Sequence, residues 1–169
     1  MTDWYGTFNG NGNYRLKVSV ALLSQDIATN TSTLSRAVSV QKTGGSGYST
    51  GNSNCSWGDV IDGVAHSGGW GPYDFGGISE LPLSASTQVV THNADGSKSV
   101  NVQGSATDPN NFGYTDIGSQ TLVLPSIPRG PKVEFGGAWA QGLVLPEFNG
   151  AWATGLMYAE FNGAWVLVA

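Results

Sequence analysis

Residues 86–103 read STQVVTH, then Asn93-Ala94-Asp95-Gly96, then SKSVNVQ. Two runs rich in β-branched residues alternate with period two on either side of a short cluster of turn formers. Asn and Asp start turns by bonding their side chains to nearby backbone, and Gly supplies a positive φ at no steric cost. The spacing predicts a β-hairpin with a bulge across Thr87 to Gln103.

The same grammar continues outward. RLKVSVAL (15–22) and SRAVSVQ (35–41) alternate, which places Leu16, Val18 and Val20, and Ala37 or Val38 with Val40, on buried faces. DIATNTST (26–33) between them is polar turn material. Cys55 to Ile61 reads as a further strand, and Gln120 to Leu124 as the last one before Pro125. Residues 43–54 are nearly all Gly, Ser, Thr and Asn, a loop or a long hairpin tip. The Gly-rich passage 63–77 carries Trp70, Tyr73 and Phe75 and reads as an ordered loop or irregular strand pinned by aromatics. About seven short strands with no helical period predict an all-β fold. The expected architecture is an immunoglobulin-like or jelly-roll β-sandwich over residues 1–124, followed by a short β-hairpin repeat appendage. Between them, PSIPRGP (125–131) reads as a stiff, extended linker.

Bulk properties bound the function. At 169 residues the chain has room for one ordinary domain plus an appendage. Only 7 Lys and Arg against 12 Asp and Glu leave no basic stripe, so no nucleic-acid partner is expected. No apolar run approaches the ~20 residues of a membrane helix, and the first residues lack the pattern of a signal peptide, so no membrane and no Sec export are expected. Cys55 is alone, which rules out an internal disulfide and fits synthesis in a reducing cytoplasm.

After the Pro-rich stretch the pattern changes. Glu134-Phe135-Gly136-Gly137-Ala138-Trp139 recurs as Glu147-Phe148-Asn149-Gly150-Ala151-Trp152 and as Glu160-Phe161-Asn162-Gly163-Ala164-Trp165. Each unit sets Gly-Gly or Asn-Gly between apolar segments, the residue pair that a type I′ turn needs. Gln141-Gly142 and Thr154-Gly155 give a second turn signal between units, so residues 132–169 read as a tight β-meander of three 13-residue repeats. A strand of three or four residues does not stabilise itself, and a repeat buries its apolar face only against a neighbour. The tail is therefore expected to dock on its own domain, on copies of itself or on a larger assembly. Self-association about a three-fold axis is one form of this, with Phe135, Trp139, Phe148, Trp152, Phe161 and Trp165 as the assembly anchors. The tryptophans have a second reading, as a sugar-stacking platform.

Chemistry-bearing constellations are few. His92 beside the Asn93–Gly96 turn reads as a satisfied turn or surface histidine. His66 has Asp59 and Asp62 nearby, but Asp62-Gly63 is better read as a turn, so no metal and no cofactor are expected. The oxygen ligands Asn93, Asp95, Asp108 and Asn110 do not match a Ca²⁺ loop. Cys55 lacks a local activating partner and reads as a small buried hydrophobe. Without a nucleophile elbow, phosphate loop or paired carboxylates, no enzyme is expected. A second class of function is a receptor- or carbohydrate-binding module, in which Trp57, Trp70, Tyr73 or the 43–54 loop contacts a host surface glycan.

Several stretches carry a resemblance to a known family. They are Tyr14-Arg15-Leu16, the run from Gln25 to Thr33, the run from Thr91 to Ser99, and the closing Leu122-Val123-Leu124-Pro125-Ser126-Ile127-Pro128-Arg129. On these, residues 4–129 resemble a family of siphophage tail structural proteins whose core domain has no assigned biochemical function. The tail separately looks like the aromatic-Gly-x-Trp repeats that end many phage tail and fibre proteins. Here Ala140, Ala153 and Val166 follow the tryptophans, which makes this version more apolar. The resemblance implies a virion component, a minor tail, tail-tip or fibre protein assembled in several copies, with a capsid decoration protein as a variant. It transfers no catalytic residue.

Overall fold

The computed structural model describes residues 1–128 except 46, 52 and 53; of residues 132–169 it describes strand spans and pairing. The chain is all-β. Eleven strands precede the tail: β1 (Thr2–Thr7), β2 (Tyr14–Asp26), β3 (Thr31–Lys42), β4 (Ser49–Thr50), β5 (Cys55–Ile61), β6 (Val64–Trp70), β7 (Tyr73–Asp74), β8 (Glu80–Thr91), β9 (Lys98–Asp108), β10 (Gly113–Asp116) and β11 (Gln120–Leu124). One sheet has the order β1-β2-β3-β8; the other runs β10-β9-β5-β6, with β11 following β10 along the same edge of β9. All these pairings are antiparallel.

The alternation of β2 and β3 sets their register. Leu16 lies opposite Val40 and Val18 opposite Val38, and all four are buried. Of the two options for β3, the strand therefore buries Val38 with Val40. Asp26 Oδ1 closes the intervening turn by accepting from the amides of Ala28 (2.9 Å) and Thr29 (3.2 Å). From the facing sheet, Trp57, Ile61, Val100, Val102 and Ala106 complete one core with these valines. The sheets pack closely at Gly104, where a Cβ would lie 2.6 Å from a Val18 methyl. An immunoglobulin-type order puts its second and third strands in opposite sheets; here β2 and β3 are hairpin neighbours in one sheet.

The segment 86–103 differs from the expected hairpin. The turn forms: Gly96 N donates to Asn93 O (2.9 Å), Asn93 N donates to Ser97 O (2.8 Å), and Gly96 has φ +82. The strands it joins, however, pair elsewhere, β8 with β3 and β9 with β5, β10 and β11. The turn is thus an arch from one sheet to the other. Turn chemistry is local, whereas strand partners are chosen by which apolar face each strand buries, and Val90 and Val100 reach the shared core from opposite sheets. The arch is tied down on both sides. Asn30 Nδ2 donates to the carbonyls of His92 and Asn93, each at 3.0 Å, and Ile127 N donates to Gly96 O at 3.0 Å. His92 Nδ1 lies 2.7 Å from Gly96 O, which only accepts, so Nδ1 is the donor, and Nε2 hydrogen-bonds with the Ser32 hydroxyl at 2.7 Å. His92 is buried rather than superficial.

The hairpin within one sheet that carries an Asp-Gly turn is β5–β6. Ile61 pairs with Val64 across Asp62 (φ +50) and Gly63 (φ +82), the two positive φ values of a type I′ turn. The passage 63–77, expected as irregular, thus contains the seven-residue strand β6. One side of the sandwich is stitched between sheets, where Asn9 N donates to Tyr114 O (3.0 Å) and Gly10 N to Phe112 O (2.8 Å). Of the stretch expected as linker, Ile127 is buried and Pro125 O accepts from Gln25 Nε2 at 2.8 Å, so the packed body extends past Leu124.

In the tail, β12 (Lys132–Phe135) pairs with β13 (Ala138–Gln141), β14 (Glu147–Phe148) with β15 (Ala151–Trp152), and β16 (Met157–Phe161) with β17 (Ala164–Val168). Among the described strands the tail shows three two-stranded ribbons, and none of them pairs with the next. The turn signals at Gly142 and at Thr154-Gly155 lie outside the described residues.

Candidate functional site

The strand registers place all six expected anchors. Phe135 lies opposite Ala138 and Trp139 opposite Glu134; Phe148 opposite Ala151 and Trp152 opposite Glu147; Phe161 opposite Ala164 and Trp165 opposite Glu160. One frame recurs three times, Glu across from Trp and Phe across from Ala. Because strand positions alternate between faces, the Phe and Trp positions fall on opposite sides of each ribbon. Each ribbon therefore carries an aromatic position on both sides.

Trp57, Trp70 and Tyr73, expected as ligand contacts, are core residues at 8%, 5% and 5% exposure. Trp70 stacks on Tyr73 with centroids 5.1 Å apart, within an aromatic cluster where Tyr14 stacks on Phe112 at 4.1 Å. Trp57 lies against the Arg36 guanidinium, 5.5 Å from its ring centroid. Their faces are occupied by the protein itself, so the sugar-contact reading of these three is corrected. The reason is alternation: Cys55, Trp57, Asp59 and Ile61 all point to the inner side of β5.

At the aromatic end of the sandwich a buried carboxylate, Asp108, is fully partnered. It accepts from the Tyr73 hydroxyl and from the amides of Asn110 (2.9 Å) and Asn111 (3.2 Å), with the Cys55 thiol nearby. Burial, reinforced by Asp108, pushes the Cys55 thiol up to about 12, and burial likewise raises the Tyr73 phenol. Cys55 is accordingly an unreactive packing group.

Between the sheets, Arg36 Nη1 bonds Asp59 Oδ2 at 2.8 Å, with both side chains buried, and Nη2 donates to Ser84 Oγ at 2.9 Å. Sequence reading missed this pair. Its signal was a charge on the apolar phase of each strand, Arg36 with Val38 and Val40, Asp59 with Trp57 and Ile61. His66 Nδ1 approaches Asp59 Oδ1 at 3.2 Å. Burial pushes the Asp59 carboxyl up, against the opposing pull of Arg36 and His66. Asp62 points elsewhere, to Lys98 Nζ at 2.7 Å. Among the described residues no three His, Cys, Asp or Glu side chains gather as a metal site.

The outer face of the β10-β9-β5-β6 sheet carries a groove of about 390 Å³. Small residues, Gly58, Ala65 and Ser105, line it beside Val60 and Gln103, and Tyr114 and Asp116 line it from the edge strand β10. Register rows run across it, Asp116–Ser105–Gly58–Ser67 and Gln103–Val60–Ala65.

No curated protein matches the chain. The family model for a siphovirus protein of unknown function (DUF859) matches residues 1–140, the whole sandwich and the first tail hairpin as far as Ala140 in β13. The chain belongs to this siphovirus family, a membership that points to a virion-associated phage protein.

Proposed function

We propose that the chain is a non-enzymatic structural subunit of the phage particle, a minor tail, tail-tip or fibre protein made in the host cytoplasm. In this reading it acts without a cofactor, by docking on copies of itself and on other virion proteins. The observation that carries the reading is the repeated tail register. Three two-stranded ribbons carry Phe and Trp at matching positions, and an isolated two-stranded ribbon is at best marginally stable in water. Strands this short with so many large apolar residues need a neighbour to cover them. A closed ring of copies, a homotrimer above all, supplies that neighbour by presenting the same ribbons from every subunit.

Deleting residues 132–169 tests the reading. The full chain is expected to sediment as an oligomer and the shortened one as a folded monomer. An unchanged oligomeric mass would remove the tail from assembly. Imaging of the intact particle then locates the subunit and counts its copies around the axis.

A further inference from the structure

We infer that the outer-face groove of the β10-β9-β5-β6 sheet is a binding site for an uncharged saccharide. Three features meet there. The first is an exposed aromatic ring: Tyr114 is 48% exposed and stands on the outer side of β10, where it lines the groove. Asp116 lies two residues along β10 on the same face, which sets an acid beside the ring. An aromatic face of this kind packs against the C–H face of a pyranose ring.

The second feature is a set of hydroxyl-recognising groups beside that ring. Asp116, Gln103 and Ser105 supply acceptors and donors at neighbouring register positions on β10 and β9. Among the described lining residues there is no Lys or Arg, and Asp116 contributes an acidic group, so a phosphorylated or otherwise anionic polymer is disfavoured.

The third feature is space. Gly58 lines the groove, and a Cβ there would meet the His66 carbonyl at 3.5 Å, ordinary contact, with no backbone strain. Glycine there is required neither by φ nor by crowding, and its effect is to keep the trough open. Ligand sites of the usual kind are concave, with a few placed polar groups, and a volume of about 390 Å³ fits them. The site lies on the sandwich and does not rest on the docking role of the tail.

The test titrates the full-length protein with tetrasaccharides of hexose, N-acetylhexosamine and deoxyhexose units, and with a glycerol-phosphate oligomer, while following amide NMR shifts. At least one neutral sugar is expected to give saturable shifts at residues of β5, β9 and β10, and the phosphate oligomer none. Gly58→Leu, which fills the trough, and Tyr114→Ala, which removes the ring, should each weaken binding by about tenfold or more, with the melting temperature little changed. Absence of a saturable response to every neutral sugar would overturn the inference. So would undiminished binding by Gly58→Leu, or equal binding of the phosphate oligomer. A chain found in the particle that binds no sugar fails this inference alone; a sugar-binding chain absent from the particle fails the virion reading alone.

Discussion

In residues 1–128 the long strands β2, β3, β8 and β9, of 11 to 13 residues, build the sandwich largely from segments distant in sequence. Thr31 of β3 pairs with Thr91 of β8, and Ser56 of β5 with Thr107 of β9. In the tail, the described strands, of two to five residues, pair within hairpins whose strands lie two residues apart. The body therefore draws its stability from burial between two sheets, whereas the tail's described pairing is local. Damage to the body should lower its melting temperature and leave the tail's docking chemistry intact; damage to the tail should do the reverse.

The sharpest way to break the body is through its buried ion pair. Asp59→Ala leaves the Arg36 guanidinium buried without its partner and should cost about 3–5 kcal/mol in denaturant unfolding. Arg36→Met combined with Asp59→Leu should recover most of that loss. A single variant as stable as the native chain would show that the pair is not desolvated. Phe112→Ala, emptying the middle of the aromatic cluster, is expected to cost about 3–5 kcal/mol by the same assay.

At the arch, Gly96→Ala must adopt φ +82 and its Cβ would meet Ile127 O. The expected loss is about 1–3 kcal/mol, with faster amide exchange at Ile127. Unchanged exchange there would mean that the arch does not hold the segment after β11. Replacing Trp139, Trp152 and Trp165 together by Ala should shift the unfolding of the sandwich by less than about 0.5 kcal/mol, since the described core cluster, Phe8 to Leu124, is built from the body's own residues. The comparison between body and tail fails if this variant melts the sandwich.

The smallest effect is with pH. Hydrogen bonds from Thr29 and Ala28 hold Asp26 below the ordinary value of 3.8, and bonds from Ser97 do the same for Asp95. A carboxyl whose pKa falls on folding stabilises the native state above its unfolded value, and that share is lost as pH drops through the folded one. Asp59, raised by burial, has the opposite sign: its share is present below 3.8 and lost as pH rises through its folded value. Asp26→Asn should therefore flatten the acid limb of the stability profile below about pH 4, and an unaltered limb would assign acid sensitivity elsewhere.

Much of the body was legible because alternation is a local property. The strands Cys55–Ile61 and Gln120–Leu124 fall where the pattern predicts them, and so do the buried valines of β2 and β3. Partner choice was not legible. The turn code at Asn93–Gly96 was read correctly as a turn and wrongly as a hairpin, because nothing within 86–103 encodes that β3 and β5 are better partners. Trp57, Trp70 and Tyr73 look like ligand contacts by residue type, yet their phase on the strands already places Trp57 and Trp70 inward. The groove emerges only once β5, β9 and β10 lie side by side, since Gly58 is far in sequence from Ser105 and Tyr114.

The central claim is that the tail hairpins are the docking element and the sandwich is a self-sufficient body. Its most direct test is to produce phage carrying a chain truncated after Pro128 and to count copies of the protein per purified particle. The account predicts a folded sandwich with native melting behaviour that is missing from the particles. Truncated chain at full copy number in the particle would contradict it.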